Sequence, residues 1–293
     1  MADLLISIIL PTHNRLALLR EAIESVREQA YTNWELIVID DGSTDGTKEF
    51  LEGLLDDRIR TFHQTNQQAS AARNRGMQEI SGRYFCFLDD DDLLDPQHLA
   101  QLAEELEVTD QPSPVYRVGQ VARTPKGEMR TNLWNNIDDA LPQFWAQPTG
   151  AFCYFFATEP IRHIEWNNHR LLLEDFTWMN EVLRHHGCYQ LPKYTAIVRQ
   201  HEDQRSGNYL NDELLQQNIA TLAECYNLKG VSERVDFDLY RKQVLHQYLH
   251  YARQLSRKGK RMKAMGTLKK ASSYATPEEW KEMGTSFAKI LLG

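Results

Sequence analysis

The chain has 293 residues, with 33 Lys or Arg against 41 Asp or Glu and a formal net charge of −8. That length allows one sizeable domain with an extension, or two small domains. Composition is ordinary for a soluble globular protein, with 42% hydrophobic, 25% charged and 10% aromatic residues. No stretch approaches the roughly 20 apolar residues of a membrane span, and Asp3 stands where a secretory leader carries positive charge. Cys86, Cys153, Cys188 and Cys225 are far apart and form no C-x-x-C pair, which fits reduced, structural thiols of a cytosolic protein.

In chain order, Leu5 to Leu10 is an Ile-rich apolar run, the pattern of a strand covered on both faces, and Pro11-Thr12-His13-Asn14 breaks it. Leu16, Leu19, Ile23 and Val26 recur at helical spacing and predict a helix to about Gln29. Trp34 to Ile39 reads as a second strand, ending in Asp40-Asp41-Gly42-Ser43. Ser43, Thr44 or Asp45 can cap a short helix through Phe50, Leu51, Leu54 and Leu55. Ile59 to His63 is a third strand, Ala69 to Ile80 a helix interrupted at Gly76, and Tyr84 to Leu88 a fourth strand. Pro96 to about Glu107 is a further helix, capped by Asp95 with Pro96 at its first position. Strands alternating with helices predict an α/β fold, a doubly wound, mostly parallel sheet flanked by helices. Ligands of such sheets bind beyond the carboxyl ends of the strands. Thr12, Asp41 and Asp89 to Asp91 all lie just past strand ends, along one edge.

The fourth strand runs straight into Asp89-Asp90-Asp91-Asp92. Like charges packed this closely repel, and a buried strand that ends in them calls for a cation. Hard divalent ions such as Mg²⁺ or Mn²⁺ favour one or two carboxylates, with substrate phosphates completing the shell. An acidic loop that merely caps the next helix is the plainer account, but Asp95-Pro96 already serves as that cap.

From Gln111 the pattern changes. Val115 to Val121 and Thr131 flank a Thr124-Pro125-Lys126-Gly127 turn, which predicts a hairpin. Trp134, Phe144, Trp145, Phe152, Tyr154, Phe155, Phe156 and Trp166 then crowd together; aromatic faces suit a core, or a cleft for sugar or lipid. Glu174-Asp175 leads into a helix with Phe176, Met179, Val182 and Leu183 on one face, stopped by Gly187. Tyr194 to Val198 is a strand, followed by a polar loop carrying His201, and from about Asn211 the chain is helical. Between Leu239 and Pro277 there are ten Lys or Arg and no Asp or Glu, which leaves a net of −18 on the remainder. Interleaved with Leu255, Met262, Met265 and Leu268, these cations form either a basic amphipathic surface for anionic lipid or a solvated helical face. Nothing resembling a nucleic-acid reading motif accompanies them.

The order of these pieces resembles the family 2 glycosyltransferases of the GT-A fold. Ser7-Ile8-Ile9-Leu10-Pro11-Thr12-His13-Asn14-Arg15 is similar to their opening strand and loop, and Trp34 through Asp45 to their second strand and nucleotide loop. Ala71-Ala72-Arg73-Asn74-Arg75-Gly76 with Gly82-Arg83-Tyr84 resembles the segment before their D-x-D strand, and Leu88 through Asp92 with Pro96 the D-x-D motif itself. The resemblance is dense over about the first 100 residues; beyond them Glu174-Asp175 and His201 carry it. It implies a metal-dependent, inverting transferase for a nucleotide diphosphate sugar, with uridine the favoured base and Mn²⁺ or Mg²⁺ as cofactor. The acceptor it implies is a glycan or lipid-linked hydroxyl, in surface polysaccharide or glycoconjugate synthesis.

By position, the resemblance implies that Pro11, Thr12, Asn14 and Asp41 hold the nucleoside, Arg73 faces the diphosphate, and Asp89 and Asp90 hold ribose or sugar. Asp91 would ligate the metal with His201, Asp175 would act as general base, and Glu174 beside it would meet the acceptor. It also implies residues 1–110 as donor half, 111–207 as acceptor half and 208–293 as a C-terminal helical extension. A cytoplasmic protein, peripheral at the inner membrane face through its basic helices, completes the expectation, with no nucleic-acid partner. There are departures. Four aspartates leave the Asp89 and Asp90 roles open, Gln67-Gln68-Ala69 lacks a glycine often found there, and no Q-x-x-R-W follows His201, which disfavours processive polymer synthesis. A sugar nucleotidyltransferase should carry a glycine-rich loop after the first strand, and Pro11-Thr12-His13-Asn14 is not one. A non-catalytic nucleotide-binding or scaffold protein of the same fold is the remaining alternative.

Overall fold

The computed structural model describes residues 4–124, 127–135, 139–168, 172–199 and 211–280. The chain forms two compact units, one of Met1–Ala140 with Thr149–Gln200, the other of Leu141–Pro148 with His201–Gly293.

The first unit is built on a mixed nine-stranded sheet with flanking helices. Its opening is β1 (Ile6–Thr12), α1 (Leu16–Arg27), β2 (Trp34–Asp40), α2 (Thr47–Glu52), β3 (Ile59–His63), α3 (Gln68–Gln78) and β4 (Tyr84–Phe87). β1 and β2 are buried at every position, which is why both read as largely apolar runs, with Ser7 and Glu35 the buried polar exceptions before the terminal motif residues. All four strands pair in parallel, in the order β3-β2-β1-β4.

β1 runs two residues further than the apolar run suggests and includes Pro11. The reason is local. β4 ends opposite Ile9, so the side of β1 on which Pro11 lacks its donor carries no ladder there. Gly76 does not interrupt α3 either: an added Cβ would lie 2.4 Å from Cγ2 of Ile9, so glycine lets the helix sit close on β1.

The remaining elements are β5 (Leu93–Leu94), α4 (His98–Val108), β6 (Val115–Thr124), β7 (Gly127–Arg130), then α5 (Leu141–Ala146), which belongs to the second unit. After it come β8 (Tyr154–Ala157), α6 (Thr158–Ile161), α7 (Glu174–His185) and β9 (Cys188–Arg199). The sheet continues β4-β8-β6-β9-β5, with β7 on β6. Here antiparallel pairs dominate, β6 with β9 being the parallel exception, so the mostly parallel character holds only for the first four strands. α4 starts two residues later than Pro96, although the Asp95 carboxylate still accepts from Gln97 N at 2.9 Å.

All eight aromatic residues named between Trp134 and Trp166 are buried, so the core account of them is the right one. Within the first unit, Phe87 meets the edges of Trp166 and Trp178, and those two indoles stack at 4.7 Å with planes 5° apart. At the amino ends of the strands, buried Glu35 accepts from Ser7 Oγ (2.6 Å), Ser81 N (2.7 Å) and Arg60 Nη1 (3.2 Å). That end is held by satisfied polar bonds. The opposite end is where acidic groups gather.

The second unit is helical: α5 with α8 (Asp212–Tyr226), α9 (Phe237–Arg257) and α10 (Arg261–Ala271). Asn211 and Asp236 cap α8 and α9 through their side chains. Trp145 of α5 packs on Tyr226 and Tyr240. Among the described residues no helix is long and apolar enough to cross a membrane.

Candidate functional site

The carboxyl ends of β1, β2 and β4 meet at one edge of the sheet. Backbone bonds carry the ladder a residue past both neighbours of β1: Asp41 N donates to Thr12 O and Leu88 N to Ile9 O, each at 2.9 Å. Asp41 is thereby fixed beside Thr12. Its buried carboxylate accepts from Gln64 Nε2 and Gln67 N, both at 2.8 Å. Asn14, at φ 53°, ties the two neighbouring loops together: its N donates to Ser43 Oγ and its Oδ1 accepts from Thr44 N. Gln68 opens α3 at φ 74°, a left-handed conformation that favours glycine.

The four aspartates do not act as one block. Asp92 N donates to Asp89 O at 3.0 Å and closes a turn, from which the side chains diverge. Asp90 turns towards β1, accepting from Thr12 Oγ1 (2.9 Å), His13 N (3.4 Å) and Arg15 Nη1 (2.9 Å). The same Arg15 nitrogen reaches Asp91 at 2.6 Å. Asp89 pairs with Arg73 Nη2 at 2.7 Å. Oxygens of Asp89, Asp91 and Asp92 nevertheless lie within 4.8 Å of one another. Ionised together, such carboxylates repel by about 3–4 kcal/mol per pair at an effective dielectric of about 20.

The carboxyl groups register that strain. Burial raises the pKa of Asp89, which Arg73 partly offsets, and burial likewise raises that of Asp90 against Arg15. Asp92 is pushed up to about 8, by burial first and then by Asp89 and Asp91. Three convergent carboxylates form a hard oxygen donor set, and added positive charge there would relieve the repulsion; the residues therefore fit a hard divalent cation.

Arg73 occupies the centre. It is buried, its guanidinium lies 4.5 Å from the Trp166 ring, and its Nε and Nη1 have no hydrogen-bond partner among the described residues. Burial works against its charge, yet Asp89, Asp175 and Glu174 together raise its pKa. Asn74 fixes the stacking partner, donating to Trp166 O (2.9 Å) and accepting from Trp166 N (2.7 Å). Glu174 and Asp175 begin α7, behind Leu173 at φ 60°. Asp175 Oδ1 accepts from Ala151 N at 3.0 Å. A cationic side chain with unused donors, acidic groups around it and a nearby second carboxylate can bind a diphosphate and take up a proton.

Residues 7–158 match the model of glycosyl transferase family 2, more than half of the chain. The chain belongs to this family. Its relatives include an uncharacterized glycosyltransferase of Rickettsia felis, 47% identical over 92 residues, which cover 31% of this chain and 15% of that protein. TuaG of Bacillus subtilis, described as a "Putative teichuronic acid biosynthesis glycosyltransferase", is 38% identical over 91 residues, 30% of this chain and 36% of that protein. The chain thus matches only about a seventh to a third of these relatives' lengths. Two solved structures share the fold at low identity. S. aureus TarS 1-349 in complex with UDP-GlcNAc has a TM-score of 0.63 at 15% identity, over 86% of this chain and 79% of that one. The mannosyltransferase PcManGT from Pyrobaculum calidifontis, in complex with GDP-Man and Mn²⁺, has 0.60 at 17%, over 98% and 80%. The architecture is therefore the GT-A fold of family 2.

Of the positions singled out from the sequence, Thr12, Asp41, Arg73 and Asp89 to Asp91 come together at this edge, with Pro11 and Asn14 on its β1 side. Glu174 and Asp175 stand close enough to Arg73 to act on its charge. His201 lies outside the described residues. Two arginines went unassigned in the sequence. Arg15 bridges Asp90 and Asp91, and Arg199 clamps the acidic turn through its N to Asp92 Oδ1 (3.1 Å) and its Nε to Asp91 O (2.7 Å). The signal for Arg199 was faint: a lone cation at the end of a strand, next to a loop already under notice.

Proposed function

We propose that this chain is a metal-dependent, inverting glycosyltransferase, moving one sugar per encounter from a nucleotide diphosphate sugar to a hydroxyl of a glycan or lipid-linked acceptor. UDP-sugar is the donor favoured by the resemblance of its strand-end motifs. The observation that carries the reading is Arg73: a buried guanidinium with two unused nitrogens, set between the acidic turn and the α7 carboxylates.

Pro11, Thr12, Asn14 and Asp41 hold the nucleoside, Asp41 offering its carboxylate to a ring nitrogen of the base. Asp89 and Asp90 orient ribose and sugar, and Arg73 donates to the diphosphate. Asp91, aided by Asp89 or Asp92 and by His201, would hold Mn²⁺ or Mg²⁺, which when bound stabilises the charge that develops on the phosphates. Asp175 takes the proton of the acceptor hydroxyl as its oxygen bonds to the anomeric carbon and the bond to the nucleoside diphosphate breaks on the opposite face. Glu174 orients the acceptor. Residues 1–110 serve the donor, 111–207 the acceptor, and 208–293 form a helical extension that brings the protein to the inner face of the membrane. Surface polysaccharide or glycoconjugate synthesis is the setting, in keeping with the description of TuaG.

Binding tests this without naming an acceptor. Thermal unfolding is followed with UDP, GDP, dTDP and CDP, each with Mn²⁺ and with chelator. A ligand at about 100 times its Kd adds roughly 2.7 kcal/mol, which for a chain of this size raises Tm by about 4 °C. One nucleotide giving that rise only with metal is the expected result. No metal-dependent rise with any of the four would remove the catalytic reading and leave a scaffold protein of the same fold.

A further inference from the structure

The second unit carries a basic surface on which, among the described residues, most cations have no ion-pair partner. Cations early in α9 are matched: Arg241 pairs with Asp238 and Glu279, and Lys242 with Asp238. Further along, Lys263 pairs with Asp212. Around it, Arg257, Lys258, Lys260, Arg261, Lys269 and Lys270 are all exposed, and among the described residues none forms an ion pair. Six unpaired like charges over the end of α9, the following turn and α10 repel one another, and carboxylates could have relieved them at no cost to packing. None occurs between Leu239 and Pro277.

The same surface is apolar at its centre. α10 buries Ala264, Leu268 and Ala271. Met262, Met265 and Lys269 follow one another at the i, i+3, i+7 spacing of the opposite face. Met262 is 83% exposed and Met265 37%. A thioether side chain bordered by ammonium and guanidinium groups is poorly suited to water, while an interface of acyl chains and anionic headgroups satisfies both parts. No aromatic side chain lies on this stripe to stack on a base, which separates it from single-stranded nucleic-acid platforms.

We propose that the exposed face of α10, with Met262 and Met265 at its centre and Lys258, Arg261 and Lys269 around them, docks on an anionic lipid surface. The methionines enter the headgroup boundary and the cations meet the headgroup phosphates. This deepens the peripheral-membrane part of the proposed function, and its test does not depend on transfer chemistry.

The full chain is co-sedimented with phosphatidylcholine vesicles, with and without phosphatidylglycerol, at low and high salt. Binding is expected only to the phosphatidylglycerol vesicles, and less at high salt. Neutralising Arg261→Gln or Lys269→Gln should weaken it about fivefold each. The pair Met262→Ser and Met265→Ser should weaken it roughly tenfold at unchanged charge, with an unchanged Tm because both side chains face outward. Failure to bind anionic vesicles overturns the proposal. So does vesicle binding indifferent to the methionines, which would indicate a general polyanion site such as one for nucleic acid. A chain that binds vesicles yet shows no nucleotide-dependent stabilisation keeps this inference and loses the catalytic one.

Discussion

Replacing Gly76 by alanine probes the contact that sets how closely α3 lies on the sheet. The new Cβ would stand 2.4 Å from Cγ2, 3.4 Å from Cγ1 and 3.5 Å from Cβ of Ile9. Ile9 is fully buried at the middle of β1, paired with Ile37 on one side and Phe87 on the other. Its β-branched side chain has little rotamer freedom, so the helix must give way by about 1 Å to restore ordinary contact. Overpacking of this kind costs about 2–3 kcal/mol, and the helix propensity of alanine returns about 1 kcal/mol. The net loss is about 1–2 kcal/mol, or a Tm lower by roughly 2–3 °C. Arg73 lies one turn earlier on the same helix, and its 2.7 Å bond to Asp89 should lengthen, so nucleotide affinity should fall with stability. Urea unfolding and titration with nucleotide measure the two effects. In the double variant with Ile9→Ala the losses should sum to less than the single ones by about 1 kcal/mol. A Gly76→Ala protein more stable than the parent, as propensity alone predicts, would show that α3 does not press on β1.

Gln68→Gly should stabilise by a few tenths to about 1 kcal/mol, because relief of the left-handed φ exceeds the entropy glycine adds to the unfolded chain; a clear loss in urea midpoint would contradict the backbone strain. Asp41→Ala should weaken nucleotide binding by about tenfold or more in calorimetry, since it removes a charged acceptor and orphans Gln67 N; unchanged affinity would move the base elsewhere. Asp175→Asn should abolish transfer while leaving nucleotide affinity within about twofold, so retained turnover would take the base role from Asp175. His98 is fully buried, with Nδ1 against Thr195 Oγ1, and burial lowers its pKa from 6.5 to about 3. With the folded pKa depressed, the unfolded chain binds the proton first, so stability falls as pH drops from about 6.5 towards 3. The stability difference between parent and His98→Gln should therefore shrink or reverse by up to about 1.4 kcal/mol per pH unit across that window; a pH-independent difference would rule this out.

β1 and β2 were legible because both are buried on both faces and so leave largely apolar runs, each ending in the polar residues of the site. Asp41 and the acidic turn could be placed from that alone, whereas Arg73, inside α3, was reached only through the family resemblance. Pro11 was misjudged because a missing donor matters only where a neighbour strand waits for it, and β4 has already ended. β8 went unseen: Tyr154–Ala157 is apolar on both faces amid other aromatics, with no alternation to mark it. Two-residue β5 leaves no periodicity at all, and β9 continues through Pro192 by way of a register shift against β6. The divergence of the four aspartates was equally invisible, since it depends on Arg15, Arg73 and Arg199 arriving from three separate segments.

The last of those arrivals bears on how the protein is made. Asp92 and the Arg199 backbone that holds it are 107 positions apart, and β5, immediately after the acidic turn, pairs among the described residues with β9. At translation rates of about 5–20 residues per second, roughly 5–20 seconds separate emergence of the four carboxylates from that of their clamp. During that interval the nascent chain has its parallel strands, with Arg15 and Arg73 to meet Asp89, Asp90 and Asp91, but lacks the clamp on Asp92. A chain cut anywhere between β5 and β9 keeps the acidic motif and loses the side of it that Arg199 supplies, so the motif becomes a site only when the first unit's last strand is laid down.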